Sequence, residues 1–110
     1  MSDVERIART EAVFREVNEA IARTAATLDT DEAAFVCECS ELQCAQRVTA
    51  DLDDYEAVRE HATRFILAPG HAQESVERVV EETPHYSVVE KVERRVAAIV
   101  RALNPRADAV

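Results

Sequence analysis

Phe35-Val36-Cys37-Glu38-Cys39-Ser40-Glu41-Leu42-Gln43-Cys44 carries all three cysteines of a 110-residue chain, in the pattern Cys-x-Cys-x4-Cys. Ala34 to Cys39 reads as a short extended run, with Phe35, Cys37 and Cys39 alternating against Val36 and Glu38. On a strand, the period of two sends both thiols to one face, with their Cα atoms about 6 to 7 Å apart. A tight turn over Ser40 to Gln43 then folds Cys44 back over them. Three soft sulfur donors converging in this way make up most of a tetrahedral zinc site.

A closed structural site needs a fourth ligand, and the chain has three histidines, His61, His71 and His85. His71 follows Ala68-Pro69-Gly70 directly after the buried-strand signature Phe65-Ile66-Leu67, so rigid backbone aims its imidazole. It is the first choice. His85 at a hairpin tip comes second and His61 at a helix end third, and a water in their place would make the site open and potentially catalytic. Two other readings compete with the metal, a redox-active thiol cluster and plain burial of cysteine as a small apolar residue. A disulfide is disfavoured by the odd count and by the lack of a secretion signal. Glu38 and Glu41 beside the thiols are expected to raise their pKa values and blunt any nucleophile.

Outward from this cluster the chain reads as an α+β fold. Residues 3 to 28 have helical periodicity, with Val4, Ile7, Phe14, Val17, Ile21, Ala25 and Leu28 on one face. Glu5, Arg9, Arg15, Glu16, Glu19 and Arg23 fall on the rest, and Ser2 or Asp3 caps the start. Ile7, Phe14, Ile21 and Leu28 also lie seven apart and admit a helix-pairing seam, although Glu11 and Asn18 break its second position. Asp29 to Glu32 is a loop and Ala45 to Ala50 a second strand, after which Thr49 or Asp51 caps a helix over Leu52 to His61. Arg64 to Ala68 is a buried strand stopped by Pro69-Gly70. Val76 to Glu82 and Tyr86 to Lys91 form a hairpin, with a helical alternative for residues 73 to 82, and Val92 to Leu103 is a final helix ended by Pro105.

The expected architecture is one domain over residues 1–110. A helix over 1–30 precedes a zinc-binding α+β core over 34–91 and a helix over 92–104, both helices packing on a small antiparallel sheet with a zinc-pinned turn. With no Trp, three Phe and two Tyr the core is thin in large side chains. Structural zinc, at roughly 10 kcal/mol or more in small peptides, would supply stability on the scale of a whole domain.

Charge and composition exclude several functions. Thirteen basic against 22 acidic residues give a net charge of −9, which disfavours nucleic acid and anionic lipid as partners. The basic residues Arg94, Arg95 and Arg101 near the C-terminus are interrupted by Glu93 and form no patch of the needed size. No apolar run approaches the roughly 20 residues of a membrane span, so the expected location is the cytoplasm. A single glycine, Gly70, rules out a glycine-rich phosphate loop, and neither a nucleophile elbow nor His-Glu-x-x-His occurs. A Cys44–His71 nucleophile and base is conceivable, but it leaves two cysteines unexplained.

The segments Phe35 to Cys39 with Cys44, Leu52 to Arg59, Thr63 to Phe65, Ala68 to His71 and Val88 to Lys91 resemble a group of short, uncharacterised actinobacterial proteins. These carry the same Cys-Glu-Cys, Cys and Pro-Gly-His elements, and the likeness spans roughly residues 11 to 91. The resemblance implies that Cys37, Cys39, Cys44 and His71 belong together, and it implies no activity. The expected function is therefore a non-enzymatic Zn2+ domain serving as an interaction or regulatory module, meeting a protein partner or a second copy through its N-terminal helix. A thiol-based redox or metal sensor is the alternative, and an open-site zinc hydrolase a more distant one.

Overall fold

The computed structural model describes residues 3–106. Its order is α1 (Asp3–Thr27), β1 (Glu32–Val36), β2 (Arg47–Asp51), α2 (Leu52–Arg59), β3 (Arg64–Leu67), β4 (Glu77–Glu82), β5 (Ser87–Lys91) and α3 (Arg94–Ala102). This is an α+β fold with a long N-terminal and a short C-terminal helix. The expected cap at Ser2 lies outside the described residues.

The strands form two antiparallel sheets, β1-β2 and β3-β5-β4, where one had been expected. Their junction is the cysteine segment. Cys37 N–H still donates to Gln46 across the β1-β2 ladder (3.1 Å), but Glu38 N–H turns to Ile66 C=O on β3 (2.9 Å). That change of partner ends β1 at Val36, so Cys37 and Cys39 lie just beyond the strand and not on it. Residues 76–91 do form a hairpin, and the helical alternative for 73–82 reduces to a turn over 74–76.

Helix α1 starts with Asp3 and Glu5 in its first turn, where the helix dipole favours acids. It stops in a Schellman motif, with Thr30 N–H on Ala25 C=O, Asp29 N–H on Ala26 C=O, and Asp29 left-handed at φ 58°. Asp51 stands at the N-cap position of α2 but its side chain makes no capping bond; Leu52 N–H is instead satisfied by Asp31 C=O (2.8 Å). Helix α3 is capped by Glu93, which accepts from Val96 N–H (2.8 Å).

The face that α1 buries differs from the expected one. Ile7, Ala8, Glu11, Ala12, Arg15, Asn18, Glu19, Ala22 and Ala25 turn inward, whereas Val17 and Leu28 are exposed. The polar members of that face are tolerated because each finds a partner in the fold. Arg15 donates to Ala62 C=O (2.7 Å) and Val100 C=O (2.6 Å), tying α1 to the turn between α2 and β3 and to α3. Glu19 pairs with Arg59 (2.6 Å) and Arg106 (2.8 Å), and Glu11 with Lys91 (2.6 Å), which also holds Glu77. Phe65 sits beneath both cations, 4.7 Å from Arg15 and 4.9 Å from Lys91. Around these pairs lies an apolar core of Phe35 stacked on Tyr55 at 4.4 Å, with Ile66, Leu67, Val48, Val89, Val96 and Val100.

Candidate metal centre

Sγ of Cys37, Cys39 and Cys44 and a ring nitrogen of His71 all lie within 4.8 Å of one another. The structure thus gathers the four residues selected from the sequence, and this is the one such cluster of His, Cys, Asp and Glu found among the described residues. His61 and His85 are exposed and stand outside it.

The fourth ligand is delivered by backbone geometry. Ala68-Pro69-Gly70-His71 is a turn closed by His71 N–H on Ala68 C=O (3.2 Å), with Gly70 at φ +82°. Proline at the second and a positive φ at the third position are the marks of a type II turn, which needs glycine there. The same turn reaches the cluster twice. Ala68 N–H donates to Cys37 Sγ (3.2 Å), and His71 Nδ1 faces Cys37 Sγ at 3.5 Å and Cys44 Sγ at 3.6 Å.

Those separations can be tested against a metal. A tetrahedron with Zn–S of about 2.3 Å and Zn–N of about 2.0 to 2.1 Å has S···N edges of about 3.5 to 3.6 Å. The two S···N edges to Cys37 and Cys44 match, and the donor set of three sulfurs and one imidazole suits a borderline-soft divalent ion, although the cluster as a whole, at up to 4.8 Å, is wider than a closed zinc tetrahedron. The four residues could hold a metal ion, with His71 ligating through Nδ1.

Cys37 and Cys39 are 2% and 5% exposed, whereas Cys44 and His71 are half-buried. Burial is the main cause that pushes both inner thiols above their ordinary pKa, partly offset by backbone N–H groups of Ala68 at Cys37 and Glu41 at Cys39. The metal-free cluster therefore keeps protons on these sulfurs at neutral pH, and metal uptake must release them.

Glu38 does not act on the thiols as expected. Its side chain points the other way and is fully buried, accepting from Ile66 N–H (2.9 Å) and Asn18 Nδ2 (2.7 Å). Burial raises its pKa to about 7 against the pull of those two donors. Asn18 in turn brackets Val36, donating to its C=O and accepting from its N–H, both at 2.8 Å. A helix side chain thus occupies the outer edge of β1, where a further strand would bond, and fixes the segment that carries Cys37 and Cys39. Ser40 donates to Gln73 Oε1 (2.8 Å), while Gln73 N–H is held by Glu77 (2.7 Å), so the loops bearing Cys44 and His71 are also tied together.

On its outer side the cluster opens into a depression of about 760 Å³ lined by Cys39, Ser40, Glu41, Cys44, Gly70 and His71. Cys37 does not line it. Among the described residues no helix is long and apolar enough to cross a membrane. Comparison with protein-family models, curated proteins and solved structures finds no match to this chain, so the centre is read from its own geometry.

Proposed function

We propose that the chain is a small non-enzymatic zinc domain in which Cys37, Cys39, Cys44 and His71 close a structural Cys3His site. On this reading zinc pins the junction of the two sheets to the Pro-Gly-His turn, and the stabilised surface serves as an interaction or regulatory module in the cytoplasm. The observation that carries it is the pair of S···N separations, 3.5 and 3.6 Å, which have the size of tetrahedral zinc edges. The net charge of −9 favours a protein partner over nucleic acid or anionic membrane. The elements resembling those of the short actinobacterial proteins are, on this reading, the ligands themselves. Metal analysis of protein purified without added zinc is the test. About one zinc per chain, with a melting temperature that falls in chelator, is expected; metal-free protein whose folding ignores chelator would leave the cysteines as packing alone.

The open depression favours a second reading, a thiol-based sensor. Cys39 and Cys44 both face it, so a peroxide reaches these two first. The two thiolates give two electrons to hydrogen peroxide, which with two protons leaves as two waters. One S–S bond forms and the metal loses two of its four ligands. Peroxide titration separates the readings: a sensor releases zinc at low oxidant with a Cys39–Cys44 disulfide, and a structural site resists.

A further inference from the structure

The two loops that carry Cys44 and His71 differ in how they are anchored. Gln73 follows closely on His71, and its main chain is fixed on both sides. Its N–H donates to Glu77 Oε2 (2.7 Å), and its C=O accepts from Val76 N–H (3.0 Å) and Glu77 N–H (3.1 Å). Glu77 is buried and pairs with Lys91, which Glu11 also holds from α1 (2.6 Å). The His71 side of the cluster is thus moored to the buried charges of the core.

The Cys44 side has fewer ties. Glu41, Leu42, Gln43 and Ala45 are exposed, and inside the loop Cys44 N–H donates to Glu41 C=O (3.0 Å). Besides the Cys44–His71 contact, one hydrogen bond among the described residues joins residues 40–45 to residues 68–77, from Ser40 Oγ to Gln73 Oε1 (2.8 Å). Ser40 lines the depression together with Cys39, Cys44 and His71, whereas Gln73 lies behind its wall. The bond therefore runs from the wall of the depression to the anchored side. A segment held by few bonds opens at low free energy, so the loss of one such bond is felt.

We propose that Gln73 is a positioning residue of the metal centre: by clasping Ser40 it holds the Cys44 loop against the His71 turn and sets how fast metal is exchanged through the depression. The inference rests on the closed Cys3His reading. Its chemistry is ligand substitution, with no change of oxidation state. When the clasp opens, the loop carries Cys44 away from His71. A donor atom of a chelator in solution then takes the place of Cys44 Sγ on the metal, and the freed thiolate takes a proton from water. Cys37 stays in place, because it is buried, does not line the depression and is bonded to Gln46 and Ala68. One neutral hydrogen bond shifts such an opening equilibrium by about three- to tenfold.

Zinc release from the full, loaded chain into excess chromophoric chelator is the experiment. Ser40→Ala and Gln73→Leu should each speed release about three- to tenfold. The double variant should be no faster than the faster single one, because both substitutions remove the same bond. Ser40→Thr keeps the hydroxyl and should release zinc at the parent's rate. Urea midpoints of the metal-free proteins and the absorption spectrum of the cobalt(II)-loaded proteins should stay at the parent's values, since neither side chain is a ligand. Gln73→Leu releasing zinc at the parent's rate would overturn the inference. So would single effects that multiply in the double variant, or metal-free midpoints that fall in step with release, which would make Gln73 a structural residue only. A parent chain that holds no zinc fails the closed-site reading and this inference together; a parent that holds zinc, with variants that release it no faster, fails this inference alone.

Discussion

Asn18→Ala tests how the cysteine segment is held. In the native fold Asn18 makes three bonds, two to the main chain of Val36 and one to the carboxylate of Glu38. A neutral hydrogen bond contributes about 0.5 to 1.5 kcal/mol and one to a charged group about 1.5 to 3. Val36 lies against the helix, and Glu38 is closed off from solvent, so water replaces the lost partners poorly. The expected loss is about 3 to 5 kcal/mol, a large fraction of the roughly 5 to 15 kcal/mol of a typical domain. Urea unfolding of metal-free and zinc-loaded protein measures it. Because Glu38 stands between Cys37 and Cys39, zinc affinity in competition with a chromophoric chelator should fall about tenfold or more, equivalent to about 1.4 kcal/mol. Asn18→Asp at pH 8 sharpens the test. It keeps the shape and the bond from Val36 N–H, but loses both donations and sets a carboxylate against Glu38. If hydrogen bonding matters, Asp is worse than Ala; if Asn18 only fills space, Asp is milder, and the reasoning fails.

Three further outcomes follow from the geometry. His71→Ala should lower both zinc affinity and melting temperature, while His61→Ala and His85→Ala, at exposed positions, should stay within about 0.5 kcal/mol of the parent; zinc lost from the His85 variant but kept by the His71 variant would contradict the placement of the turn. Gly70→Ala meets no neighbouring atom, so its cost is the positive φ alone, about 1 to 2 kcal/mol in thermal or urea unfolding, and a neutral result would mean that the turn is not type II. Glu11, its pKa raised by burial to about 7 despite Lys91, costs the fold stability as pH climbs from 4.5 through 7, at about 1.4 kcal/mol per pH unit between the two values. Glu11→Gln, with Glu77 still pairing Lys91, should remove that decline, so urea midpoints of the two proteins at pH 5 and pH 8 should diverge; parallel curves would show that Glu11 does not titrate in this range.

Much of this molecule is legible from its local signals. Helix ends, the hairpin over 76–91 and the Pro-Gly-His turn depend on residues adjacent in sequence, and the sequence places them within a few positions. The four cluster residues were found because thiols and imidazoles converge for few reasons other than a metal. The inner face of α1 was misread for a physical reason. Hydrophobic periodicity assumes that charge belongs outside, yet Glu11, Arg15, Asn18 and Glu19 are inside, each bonded to something distant in sequence. One signal did mark that face: Ala8, Ala12, Ala22 and Ala25, small residues at helical spacing, where the helix packs inward.

The apolar residues thereby displaced from the core are the ones that remain on the surface. Val17 and Leu28 were assigned to the buried stripe by a pattern that is real, but the structure spends that stripe differently. Polar side chains of α1 hold Val36, Glu38, Ala62 and Val100 in place through directional bonds that valine and leucine lack, and Glu11 adds an ion pair to Lys91. A helix of 25 residues has room for a bonded inner face and an exposed apolar one. One face fixes the backbone that carries two thiols, and the other leaves Val13, Val17 and Leu28 exposed. Of the residues shared by the stripe and the seam read from the sequence, Ile7 is buried in the core and Leu28 is exposed.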